Sequence, residues 1–181
     1  MASTDEAGRA RAARLASFFF LARFLVLLLV LYFAVAWKPV NDRAIVPFTA
    51  GIASVSGKIL RLLGEPVTVT NTTISGGGFG VNIENGCNGV ETAILFVSAV
   101  LAFPAPWRSR LLGVVGGFAA IQAVNLVRVV SLFWVGRHYP TLFQSSHTVI
   151  WQSLVVLFGV VLFFVWAARQ PRLAKAAADA G

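Results

Sequence analysis

The sequence predicts an all-α membrane protein with about four transmembrane helices. An amphipathic helix at the outer interface and a short β-hairpin precede the second span. Three observations predict this class. Apolar residues make up 57% of the 181-residue chain and charged residues only 12%, about half the charged share of a soluble domain. Mean hydropathy is +0.79, and apolar stretches near the roughly 20 residues that a bilayer core demands occur more than once. The basic residues sit beside those stretches, the orientation signal of membrane proteins.

The elements follow in order. Residues 1–14, "MASTDEAGRARAAR", read as a disordered cytoplasmic tail carrying Arg9, Arg11 and Arg14. Residues 15–37 form the first span, with Arg23 near enough to its start to snorkel back to the interface. "AVA" at 34–36 resembles a signal-peptidase site. The apolar run is too long for a signal peptide, whose core runs about 7–15 residues. Residues 44–63 carry Ser54, Ser56, Lys58 and Arg61 and make a poor span. Ile45, Phe48, Ile52, Val55, Ile59 and Leu62 recur at steps of three and four, an amphipathic stripe suited to the interface. Residues 66–83 read as two short strands joined by a glycine turn, the first β-branched and the second alternating.

Spans two, three and four cover about 88–103, 111–135 and 148–168. "PAPWRSR" separates two from three, and "GRHYPTLFQSS" at 136–146 is a turn punctuated by Pro140. A membrane-embedded domain thus covers 15–168, with outer segment 38–86 and a basic tail at 169–181. Four spans place Arg9, Arg11, Arg14, Arg108, Arg110, Arg169, Arg172 and Lys175 on one side. By the positive-inside rule that side is the cytoplasm, so Ile83–Glu91 and 136–147 face outward.

The net charge of +8 is spent on membrane orientation, and no basic patch stands on a soluble domain, which excludes nucleic acid as a partner. Membrane lipid is the implied surroundings. One cysteine and two histidines, with no HExxH, leave too few ligands for a zinc site, and no cofactor is implied. A lone cysteine forms no intramolecular disulfide. Cys87 is therefore an inert buried thiol, half of an intermolecular bridge, or a reactive thiol.

Arg128 lies about eight residues inside the outer end of span three, roughly 12 Å deep. An arginine there costs a few kcal/mol on insertion scales. Gln122, Asn125 and Arg128 recur every three residues and so share a face, a polar stripe that should look into the bundle. Cys87 is flanked by Asn85, Gly86, Asn88 and Gly89 at a helix start, where the dipole and a nearby guanidinium stabilise a thiolate. Glu91 works against that; it either holds Arg128 or caps the helix. His147 opens span four, and a cysteine with a histidine is the minimal nucleophile–base pair. Arg128 would supply the electrophilic stabiliser. His138, in the loop beside Arg137, is the rival base. A non-catalytic assembly or transport component, with the polar stripe lining a passage, is the alternative.

Three stretches in order, "NGCNGVETAILFVSAVLAFPAPWRSRLLG", "QAVNLVRVVSLFWVGRHYPTLF" and "SHTVIWQ", resemble the exosortase/archaeosortase family of membrane-embedded cysteine transpeptidases. "IVPFTAGIASVSGKILRLLG" and "CNGVE" are most similar to the exosortase H subgroup. The resemblance covers about residues 15–168. It implies a catalytic cysteine at Cys87 in CNG, an arginine at Arg128 in NLVR and a histidine at His147 in SHT. Asn125 matches the asparagine that tends to precede the arginine; with Asn88, Glu91 and Gln122 it is a candidate supporting or substrate-binding residue. The resemblance further implies a bacterial inner-membrane enzyme with an outward-facing site. Its substrates would be secreted proteins with a C-terminal tag: a short motif of the type Ile-Pro-Thr-Leu-x-x-Trp-Gly, a hydrophobic helix and a basic tail. The acceptor nucleophile is unknown.

Overall fold

The computed structural model describes residues 2–170. Helix α1 (Ala2–Ala36) leads through a short turn α2 (Lys38–Val40) and a π-helical turn (Asn41–Ile45) into α3 (Val46–Leu62). Strands β1 (Thr68–Thr70), β2 (Thr73–Gly76) and β3 (Phe79–Asn82) follow, then α4 (Val90–Ala102), α5 (Trp107–His138) and α6 (Pro140–Ser145). A second π-helical turn (Ser146–Trp151) leads into α7 (Gln152–Ala168). Helices dominate, with one small antiparallel sheet of order β1-β2-β3, as the composition predicts.

Among the described residues, four helical segments are long and apolar enough to cross a bilayer: Arg14–Ala36, Lys38–Leu62, Trp107–His138 and Pro140–Ala168. This is not the set read from the sequence. The 44–63 region qualifies by length, and the second expected span, α4, is only 13 residues, about 20 Å against a hydrocarbon core of about 30 Å. α4 is nonetheless the centre of the bundle. It packs against α1, α5 and α7, and Phe96, Val100 and Ile121 form a core between them. At its C-terminus Phe103 stacks edge-on against Phe20 of α1 and against Phe163 and Trp166 of α7. Ser109 donates to Gln170 at 2.6 Å. The first part of α1, the 104–110 turn and the end of α7 therefore share one end of the bundle.

α3 keeps to the other half. Phe48 stacks with Phe118, Ile59 and Leu60 share a cavity with Leu126 and Val130 of α5, and Glu65 pairs with Arg137. α3 thus runs beside α5 from about Phe118 outward and has no counterpart along the first part of that helix. Its buried face is Thr49, Ile52, Ala53, Ser56, Gly57 and Leu60, which shares only Ile52 with the expected apolar stripe; Val55 and Leu62 point outward. In a membrane the amphipathic rule inverts: small residues let helices approach, and large apolar side chains face lipid. Phe18, Phe19, Leu112, Val161 and Phe164 are likewise exposed.

Four further boundaries depart from the sequence reading. α1 is helical from Ala2, through residues read as an irregular tail; a run rich in Ala and Arg has high helix propensity. The tail beyond 170 lies outside the described residues. The expected hairpin is a three-stranded sheet, because Asn71 adopts φ 53 and turns the β-branched run back on itself, pairing Thr70 with Thr73. Gly77 and Gly78, both at positive φ, make the two-residue turn between β2 and β3 that favours such residues. Finally, α5 extends to His138, and 140–145 is helical rather than a turn. Pro140 starts α6, a position where its missing N–H costs nothing.

Candidate active site

The segment Ile83–Gly89 descends from β3 to the start of α4 and carries Cys87. Two glycines shape it, Gly86 at φ 89 and Gly89 at φ 75. Gly89 also lies against α5: a Cβ there would come within 3.1 Å of Asn125 Cγ and Gln122 Nε2. Asn88, fully buried, locks the turn. Its Oδ1 accepts from the Val90 amide at 3.0 Å and its Nδ2 donates to Thr49 Oγ1 at 2.9 Å, tying the loop to α3. Gly89→Ala is expected to cost about 1–2 kcal/mol from the left-handed backbone alone and to push α4 off α5. The thermal midpoint of the solubilised protein should fall by several degrees, which a melting curve beside wild type measures.

Three of the expected residues converge. His147 Nε2 lies 2.8 Å from Cys87 Sγ, although 60 residues separate them. Arg128 approaches from α5, with one guanidinium nitrogen 3.3 Å from the Gly86 carbonyl and the other 3.8 Å from Cys87 Sγ. Arg128 is 2% exposed, so its charge acts without bulk-water screening. α5 continues about 15 Å beyond Arg128 to His138, which recesses the site below that end of the bundle.

The polar stripe on α5 forms as expected. Gln122 and Asn125 are buried beside Gly89, and among the described residues their amide atoms find no hydrogen-bond partner. They back the α4 start and, among the described residues, make no hydrogen bond to Cys87. Among the described residues Glu91 forms no ion pair with Arg128, and its Oε2 accepts no hydrogen bond. Glu91 instead lines a cavity of about 90 Å³ with Tyr32, Asn41 and Asn85. His138 is not at the site: its Nδ1 lies 3.0 Å from the Trp134 carbonyl, and Nε2 lies 3.9 Å from Glu65.

One support of the site was missed. The His147 ring stacks on Phe143 at 5.8 Å and 3°. Phe143 packs edge-on against Phe79 of β3, which packs on Phe133 of α5. The signal was the i, i+4 spacing of Phe143 and His147, hidden because 136–146 reads as a turn.

Burial pushes the Cys87 thiol up. Arg128 pulls the other way, while Glu91 and Glu84 add to the rise. Desolvation is the largest influence and outweighs the guanidinium that was expected to favour a thiolate. Alkylation of Cys87 should therefore still be accelerating with pH where an ordinary thiol, titrating at about 8.5, has levelled. Arg128→Gln should move the midpoint higher still. A midpoint below that of free cysteine would contradict the burial argument.

The recessed Cys87–His147 pair and the buried Arg128 are set in a bundle of apolar helices. The family model described as transmembrane exosortase (Exosortase_EpsH) matches residues 13–168, and the chain belongs to that family. Membership gives it, in general terms, the role of a membrane protease or transpeptidase. No curated protein and no solved structure matched the chain.

Proposed function

We propose that the protein cleaves C-terminal sorting tags from secreted proteins through a thioester on Cys87. The observation that carries this reading is the 2.8 Å approach of His147 Nε2 to Cys87 Sγ, within reach for proton transfer. His147 accepts the thiol proton as sulfur attacks the scissile carbonyl. Arg128 offsets the negative charge on sulfur and on the developing oxyanion. His147 then delivers the proton to the leaving amine, the C–N bond breaks, and the substrate remains as a thioester. In the second half His147 takes a proton from water or from an acceptor amine, which attacks the thioester; the C–S bond breaks and the sulfur is reprotonated.

The substrate would carry a short motif of the Ile-Pro-Thr-Leu-x-x-Trp-Gly type, a hydrophobic helix and a basic tail, matching the exosortase H subgroup. The orientation follows from charge. Arg108, Arg110 and Arg169 sit at the bundle end shared with the start of α1, and the positive-inside rule makes that end cytoplasmic. Cys87 then opens toward the outer side of a bacterial inner membrane. Mass spectrometry of a secreted reporter bearing such a tag, co-expressed with the protein, tests the reading. Loss of the tag is expected, and the mass of the new C-terminus separates hydrolysis from transfer. An intact tag beside a membrane-inserted enzyme would reject the proposed substrate.

A further inference from the structure

The small sheet has two edges, and the chain treats them differently. Beside β1, Arg61 donates to the Val67 carbonyl at 3.1 Å and α3 packs alongside. β3 packs against β2 and, through Phe79, against α5, and among the described residues nothing closes its outer edge. The register shows which groups that edge presents. Gly76 pairs with Phe79 across a two-residue turn and Ile74 pairs with Val81; the Ile83 amide donates to Thr72. Alternation in an antiparallel ladder therefore turns the N–H and C=O of Gly80 and Asn82 outward. Both residues are exposed. Natural sheets ordinarily blunt such an edge, and a glycine in a strand often marks where another backbone comes close.

We propose that the β3 edge is the binding strand for the substrate: an extended polypeptide segment pairs with Gly80 and Asn82 and is thereby led toward Cys87. β3 ends five residues before Cys87, and a turn closed by the Cys87 amide on the Glu84 carbonyl joins the strand to the site. The occupant is a peptide because only another main chain offers donors and acceptors at the spacing of a ladder. Main-chain pairing supplies affinity, and alternate side chains supply selectivity. This inference rests on the reading that the enzyme cleaves a peptide tag.

Gly80→Pro removes the outward N–H while leaving the Ile74–Val81 pairing intact, and Gly80→Ala keeps that N–H. Expected is a roughly tenfold slower cleavage of the tagged reporter for Gly80→Pro than for Gly80→Ala, with Cys87 alkylation unchanged in both. A proline scan through the reporter motif gives a second readout that does not depend on how the enzyme variant folds. Loss should fall on alternate positions, the period of a strand. Wild-type rates for Gly80→Pro, or a scan without alternation, would overturn the strand while leaving tag cleavage standing. A reporter left uncut by the wild type would remove both.

Discussion

Cys87→Ala should leave a tagged reporter uncut. On the proposed route the sulfur is the nucleophile, and without it His147 has nothing to activate. Deleting one member of a nucleophile–base unit costs about as much as deleting the whole unit, on the order of 10⁴-fold or more. The fold should survive, because the side chain is small and only half-buried; membrane level and melting temperature are the controls. Cys87→Ser should be nearly as inert, since a hydroxyl holds its proton far more tightly than a thiol. Persistent tag loss with Cys87→Ala would rule out the thioester route. Either variant should trap the uncut substrate, which co-purification followed by mass spectrometry would reveal.

Arg128→Lys is expected to lose about 10²–10³-fold in cleavage even though the positive charge remains. The guanidinium reaches two acceptors at once, the Gly86 carbonyl and Cys87 Sγ. A lysine ammonium is a point charge on a flexible stem and cannot reproduce that fork. It would hold either the loop or the sulfur. Arg128→Gln removes the charge as well and should be slower again. Alkylation of Cys87 in each variant shows whether the loop still presents its thiol, so a collapsed site is told apart from a weakened one. Cleavage within a few-fold of wild type for Arg128→Lys would mean that the two-point contact is dispensable.

Much of the site was legible because chemistry in a membrane is conspicuous. Arg128 stands out in an apolar helix, and Cys87 and His147 are rare residue types at span boundaries. Their convergence was inferable from the four-span topology, since all three fall toward the same end. The apolar pattern was a weaker guide. It placed an amphipathic stripe on α3, of which Ile52 is buried and Val55 and Leu62 face outward, because large apolar residues also line the outside of a membrane bundle. It read the second span as a short one over about 88–103, and α4 is shorter still, 13 residues, less than a bilayer core demands. The turn at Asn71 and the helix from Pro140 were masked by neighbours of the opposite propensity: β-branched residues around the first, turn formers around the second. Asn88 and Glu91 stood out in the sequence, but their surroundings depend on Thr49 and on α1, tertiary neighbours that no local pattern names.

The π-helical turn at Ser146–Trp151 sets the angular phase of His147. Such a turn accommodates one residue more than an α-helix would, and each residue of an α-helix advances about 100° around the axis. α7 is locked by its packing on α4, so the extra residue acts as a dial that fixes where the imidazole points. Were the same chain wound as a continuous α-helix from Pro140 to Ala168, His147 would swing about a quarter-turn away from the sulfur, and the ring stack with Phe143 and Phe79 would go with it. Alignment of His147 with Cys87 is thus encoded by helix winding, one residue of which sets the aim of the whole site.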